Sequence, residues 1–566
     1  MSDQRKDKEG KRVLSRRGFL ALSAIGGTGL VLALTLPRHV GGILGPLTEG
    51  QKEGPDLFVR ISPENRVIIK VVRSEMGQGV RTALPMILAD ELDADLSTIV
   101  VDQGDADARY FMGTAGSQSI FRSYQLLRQA GASARLMLLQ AGAQRLKVGQ
   151  SRCRTKAGYV LGPSGEKLSY GELAEEARKL DLPPNPTLKN PEDFALIGTE
   201  PPRYDGEDIV QGRAHLGQDT RLPGMRYASL ERPPSQGAQL REFDDRTARK
   251  VPGVLEVLSI DEGVAVIAEN TWAAFQGREA LRVRWREGKA TRFSSEELAS
   301  RMDEALRERG KAVREDHDAD AELAKASEVI EARYELPFLD QAPMIPLNCT
   351  AKVSDSEAEI WAPAQFPNWA RREVAHRLRL PEERVTVHVT LIGSGFGRRI
   401  YPDIVVEAAA IAQKAKVPIQ LVNTREDNFR HGVYRPANRH RLRACLNEGG
   451  MPRAWSHHIA GPSISASWSP HTSHPEAYEI QGAADRPYAI ENIRVAYTRV
   501  AVPLLLGAMR GVARVNNAFV TECFLDELAH AAKRDPLQYR LDLLKDRPPF
   551  EGDGENVEPE RLIAVL

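Results

Sequence analysis

The stretch VTLIGSGFGRRIYPD, Val389 to Asp403, sets glycines at 393, 395 and 397 straight after a β-branched run. Glycine inside regular structure costs about 0.5–1 kcal/mol against alanine, so such a run marks positive φ or a close neighbour. The preceding RVTVHVTLI reads as a buried strand. The following PDIVVEAAAIAQKAK reads as a helix whose first turn suits Pro402 and Asp403. The glycines thus fall between a strand end and a helix N-terminus, where unpaired N–H groups converge and anions are favoured. Their G-x-G-x-G spacing departs from GxGxxG, and GxxxxGK[ST] is absent from the chain. Structural punctuation is the plain reading of any one such loop.

Outward from this stretch, strand and helix signals keep alternating. VPIQLVNT follows as a strand; SEVIEARYELPFL and EAEIWAPAQ precede as strands, with NWARREVAHRLRL as a helix. Residues 291–330 are strongly charged with a helical pattern, which predicts a solvated connecting helix. Between 206 and 290, GVLEVLSI, GVAVIAEN and LRVRWRE with the helix AAFQGREA predict a compact α+β module. Residues 151–205 are looser, and LPPNPTLKNP reads as a plain linker. From 55 to 150 the chain predicts a hairpin, LFVRISPENRVIIKVVRSE, around Ser62-Pro63-Glu64-Asn65. Helices are expected over VRTALPMILADELDAD and over SYQLLRQAGASARLMLLQAGAQRL. The whole is an α+β, multidomain chain.

Composition narrows the function classes. The 566 residues are 42% hydrophobic and 27% charged, with Lys+Arg and Asp+Glu both 77, so bulk charge does not point to a nucleic acid partner. Cys153, Cys349, Cys445 and Cys523 are too dispersed for a zinc knuckle, haem attachment or iron–sulfur cradle. A redox protein of this kind needs its clusters on another subunit. His457-His458 and His471/His474 lack metal-ligand spacing and read as surface or turn residues. Residues 1–17 are polar and basic and end at Arg16-Arg17; the uncharged Gly18–Leu36 follows. This pattern predicts a twin-arginine export signal over 1–36 and a linker over 37–54. The segment 18–36 is also long enough to stay as a membrane tether.

Four separated loops join small residues to amide or guanidinium side chains: EMGQGV, GTAGSQS, GSGFGRR and AMRGVARVNN. Gln78 can donate and accept beside a ligand, and Arg398, Arg399 and Arg510 can grip phosphates with planar forks. Together they suit a large, polar, phosphate-bearing cofactor.

These segments, in this order, resemble the molybdopterin-binding large subunit of the xanthine dehydrogenase/aldehyde oxidase family, in its isoquinoline 1-oxidoreductase beta-subunit branch. The resemblance rests on EMGQGVRTALPMILADELDAD, GTAGSQSI, YELPFLDQAPMIPLNCTA, WAPAQFPNWARREVA, GSGFGRR and MRGVARVNNAFVTECFLDELAHAAKRDPLQYRLDLL. It implies Gln78 and Gly79 beside an oxo ligand or the pterin, and Gly116 and Ser117 at the cofactor's phosphate region. It also implies Gly395, Phe396, Gly397 and Arg398 around the molybdenum centre, with Arg510 and Gly511 nearby. By the same resemblance, residues 55–150 are the N-terminal piece of the second molybdopterin-binding domain. Residues 206–290 are an α/β hammerhead domain, and 291–566 are the first molybdopterin-binding domain.

The resemblance further implies molybdenum on molybdopterin in the cytosine dinucleotide form, and hydroxylation of an aldehyde or N-heterocycle with water as oxygen source. Electrons are expected to leave through a small iron–sulfur subunit, with a c-type cytochrome as a further partner, in the periplasm. The family's catalytic base, a glutamate in a C-terminal Gly-Glu motif, has no counterpart in these residues. No catalytic residue is therefore assigned, and a polypeptide supplying that domain joins the expected partners. Glu522 and Glu527 read as structural or solvent-facing. Two alternatives stand beside the enzyme: a split half that is inactive alone, and an exported binding module without catalysis.

Overall fold

The computed structural model describes residues 30–34, 56–468, 477–545, 550–552 and 555–566. Helices and mixed sheets alternate through two compact units, as the α+β reading expects. One unit includes Glu49–Thr220 and Ser356–Gly393; the other includes Arg221–Asp355 and Ser394–Leu566.

In the first unit the expected hairpin forms from Asp56–Ile61 and Val67–Val71, with Asn65 in the left-handed region at its turn. Val67–Val71 alternates buried and half-buried residues, and it pairs in parallel with Ile99–Gln103 across the helix Val80–Leu92. Leu30–Leu34 pairs antiparallel with Asp56–Ile61. The rest of the export and tether reading, residues 1–29 and 35–55, lies outside the described residues. Among the described residues no helix is long and apolar enough to cross a membrane.

Val80–Leu92 packs on the 29-residue helix Gln118–Leu146 through small side chains. A Cβ on Gly131 would stand 2.4 Å from the Leu88 carbonyl oxygen, so only glycine permits this approach.

Two parts of the 151–205 linker reading need correction. Residues 154–169 form a three-stranded meander, followed by the helix Tyr170–Ala177, which starts with a Ser169–Glu172 capping box. The irregular 187–197 segment is stapled down. Asp90, 1% exposed, accepts the backbone N–H groups of Ala195, Leu196 and Ile197 and the Lys189 ammonium. Beside it, fully buried Glu91 accepts Lys189 N and pairs with Arg128. These bonds outweigh the cost of burying the Asp90 carboxylate and hold its pKa below the ordinary value. Side-chain-to-backbone bonds of this kind leave no periodic trace in the sequence.

The same unit holds a second parallel pair, Ala358–Ala362 with Val385–Val389, joined through the helix Pro367–Leu378. His388, on the latter strand, lies 3.1 Å from both Asp105 Oδ1 and Glu359 Oε1. The hydrogen bond to Asp105 leads the causes that raise its pKa above 6.5. The imidazolium's contribution is therefore fully present below the unfolded-state pKa and is lost as pH rises through the higher folded one. With His388 partly exposed, His388→Asn should remove at most about 1 kcal/mol at low pH and nothing at high pH. Urea midpoints at about pH 5.5 and about pH 8.5 check this; equal losses at both would contradict it.

In the second unit the fully buried strand Gly263–Ala268 lies between Val254–Ile260 and Arg226–Glu231, the core of the expected 206–290 module. The module is not closed, because Arg226–Glu231 continues in parallel into Ile419–Val422, which pairs with Asn348–Val353. A five-stranded sheet runs in the order Lys311–Asp316, Asn492–Arg499, Pro452–Gly461, Asn438–Leu446, Ile330–Leu336. The helix Ala513–Ala531 covers it with Val520, Phe524, Leu525 and Leu528 against Trp455.

The 291–330 connecting helix is corrected here too: it is two helices, Ser295–Arg307 and Ala319–Lys325, with a sheet strand between them. Leu298, Met302 and Leu306 of the first are buried, a stripe that its many charges masked. His457 and His458 are sheet core rather than surface or turn residues. His457 Nε2 lies 2.9 Å from His440 Nδ1, and burial pushes both imidazoles toward the neutral form. His471 and His474 lie outside the described residues. All four cysteines are free.

Candidate cofactor site

In the first unit the loops after the parallel strands are tied to one another, the arrangement that puts ligands at the carboxyl ends of strands. Thr114 N donates to Gln365 O (2.9 Å), and Gln365 Nε2 donates to Thr114 O (2.8 Å). Ser74 N donates to Thr114 Oγ1, and Ser74 Oγ to Ala364 O. Ile392 N donates to Glu75 O (3.0 Å).

The EMGQG loop is organised by Glu75, which is 3% exposed. Its carboxylate accepts N–H bonds from Gly77 (2.9 Å), Gly79 (3.0 Å) and Arg81 (3.2 Å), and Arg203 pairs with it at 3.1 Å. Gly77 and Gly79 sit at φ +112° and +85° with open space where a Cβ would be. Gln78 departs from its expected role. Its Oε1 accepts Met76 N (2.7 Å) and its Nε2 donates to Ser74 O (3.0 Å), so the carboxamide closes its own loop. One amide hydrogen and one lone pair remain for a ligand. Glu75 was missed by sequence reading, although its place ahead of two spaced glycines was visible.

Gly116 and Ser117 both take left-handed φ, +61° and +57°, and lead into Gln118–Leu146. Ser117 gives its helix no side-chain cap, so that N-terminus keeps N–H groups for an anion, whereas at Gly79 the Glu75 carboxylate already takes the N–H groups of Gly79 and Arg81.

In the second unit the remaining predicted residues come together by backbone contact. Ser394, Phe396 and Gly397 have φ of +74°, +55° and +103°. A Cβ on Gly397 would stand 2.2 Å from Ala508 O, and Arg510 N donates to Phe396 O (3.0 Å). Ser394 accepts Met344 N on its hydroxyl at 2.7 Å. Gln341, absent from the sequence-based site, donates to Ala508 O (3.0 Å) and Val433 O (2.8 Å), while its Oε1 is buried and unpartnered.

Arg398, 2% exposed, commits both terminal nitrogens of its fork to Asp403, at 2.9 and 2.5 Å. Arg510 is exposed and, among the described residues, its guanidinium bonds to nothing. Gly511 follows at φ +84°, then Val512 at φ +48°, unusual for a β-branched residue. Glu522 holds Tyr488 (3.0 Å) and Arg540 (2.7 Å), and Glu527 binds Tyr334, so both are structural. The free Arg510 fits an oxyanionic group of a large cofactor, and the orphan Gln341 Oε1 beside the glycine clamp fits one of its N–H or O–H donors.

Comparison with known proteins agrees. Two family models, each described as a Molybdopterin cofactor-binding domain, match residues 304–543 and 29–204. A protein named membrane-bound aldehyde dehydrogenase (pyrroloquinoline-quinone), from Gluconacetobacter polyoxogenes, is 30% identical over 97% of this chain and 74% of its own length. Isoquinoline 1-oxidoreductase subunit beta of Brevundimonas diminuta is 29% identical over 94% of this chain and 76% of that one. The quinoline 2-oxidoreductase structure from Pseudomonas putida 86 shares the fold, with TM-score 0.52 and 18% identity over 64% of this chain. The chain spans about half the length of that structure, 52%. Fold, sites and relatives define a molybdenum-oxidoreductase subunit. The chain belongs to the molybdopterin-binding large subunits of the xanthine dehydrogenase/aldehyde oxidase family.

Proposed function

We propose that this chain is the molybdopterin-binding part of an exported hydroxylase that oxidises an aldehyde or an N-heterocycle with water as oxygen source. The observation that carries the reading is the Gly397 clamp on the Ala508 carbonyl beside the unpartnered Gln341 Oε1. Molybdopterin, in its cytosine dinucleotide form, supplies the metal centre for oxygen transfer and electron storage. The chain's own part is to bind and orient. Glu75 holds Gly77 and Gly79 in their turn, the helix N-terminus at Ser117 favours phosphate, and Arg510 offers an unused planar fork. The names of the two relatives support both substrate classes.

Dispersed cysteines favour a small iron–sulfur subunit as the electron acceptor, with a c-type cytochrome beyond it. The basic, twin-arginine start favours a periplasmic location, with residues 18–36 as a tether.

Elemental analysis of the tagged protein, purified with its partners from its native host, should find roughly one molybdenum per chain. The chain purified alone should not turn over an aldehyde or a quinoline. One relative's name carries pyrroloquinoline quinone, so the same preparation is assayed for that quinone. Quinone without molybdenum would overturn the reading, and an absence of both would leave a binding module.

A further inference from the structure

We infer that Arg399 is held in place as the counter-cation for an oxyanionic group of the bound cofactor, an inference that rests on the molybdopterin reading above. Arg399 is 4% exposed. Its only hydrogen bonds among the described residues are to backbone carbonyls, from Nε to Ser394 O at 3.1 Å and from Nη2 to Ile345 O at 2.8 Å. Among the described residues it pairs with no carboxylate.

Of the nearby acids, Asp403 is bound by Arg398 and Glu407 by Arg232; Asp340 accepts Ala342 N on Oδ1 and keeps Oδ2 unpartnered, yet it forms no ion pair with Arg399 among the described residues. The charges that bear on Arg399 are two more arginines, Arg398 and Arg425. Arg425 in turn donates to the carbonyls of Pro343 and Met344. Burial, reinforced by these two cations, pushes the Arg399 pKa down to about 9.

A buried guanidinium is normally paired, because an uncompensated charge away from water is strongly unfavourable. Two of its five N–H donors bind carbonyls, which leaves donors for a planar or tetrahedral oxyanion. The adjacent arginines thus divide the work. Arg398 locks the loop to the following helix, and Arg399 keeps spare N–H donors for an oxyanion.

The test uses the full chain made in a host that cannot build molybdopterin. Inorganic phosphate, against sodium chloride of equal ionic strength, should raise the thermal midpoint of the wild type by about 2–4 °C. Arg399→Gln should lose that shift, and its midpoint in chloride should be unchanged or higher, since a like charge is gone. In a cofactor-competent host, Arg399→Gln should carry at least about tenfold less molybdenum and pterin, while Arg399→Lys recovers part of it.

If Arg399 merely braces the loop, the variant melts lower in chloride but keeps the phosphate shift and its molybdenum, and the inference is overturned. Wild type without any phosphate shift also overturns it. A wild-type chain that never carries molybdenum but shows the phosphate shift sinks the cofactor reading and leaves the anion site standing.

Discussion

Gly397→Ala is expected to empty the chain of molybdenum while leaving both main sheets folded. The position has φ +103°, and the added methyl would stand 2.2 Å from Ala508 O and 2.9 Å from its carbonyl carbon. These are backbone atoms and cannot swing aside as a side chain would. Ala508 O also accepts Gln341 Nε2, and Phe396 O accepts Arg510 N, so relief at one strand of the clamp breaks the other. Left-handed strain and the overlap together should cost about 3 kcal/mol or more. Two readouts separate site from fold: molybdenum per chain, and the urea midpoint with far-ultraviolet circular dichroism. A variant that binds wild-type amounts of metal would show that the loop does not need this contact.

The second large effect is expected at Glu75. Its buried carboxylate gathers three N–H groups and Arg203, so Glu75→Ala strands the donors of the whole loop. Breaking a buried charged pair in this way costs about 3–5 kcal/mol. Arg203 keeps a second partner in Asp205, which places the expected loss toward the lower end of that range. Glu75→Gln retains the shape but turns an N–H donor toward other donors, so it should recover only part of the loss. Denaturant midpoints of both variants, measured with Arg203→Ala and the double variant, give the coupling directly. Additive losses for Glu75→Ala and Arg203→Ala would mean that the ion pair contributes nothing to the loop.

Local pattern carried much of the reading. The hairpin at 56–71, the helices at 80–92 and 118–146, and the strand–glycine–helix unit at 385–415 are written in period and turn chemistry, which act over a few neighbouring residues. The glycine loops were legible for the same reason, since positive φ is a local demand that glycine meets.

Element types, glycine turns and, through the order of the motifs, the family were therefore legible in the residues alone. Tertiary structure alone decided the use of each polar side chain. Gln78 and Arg398 look equally free as letters, yet one closes its own loop and the other is bound to Asp403. Arg399, one residue on, binds only carbonyls among the described residues. Asp90 and Glu91 fasten a segment about a hundred residues away, and His457 lies inside a sheet. The physical reason is range. Backbone preference is set by adjacent residues, whereas the partner of a buried charge comes from whatever distant segment the fold brings within hydrogen-bond reach.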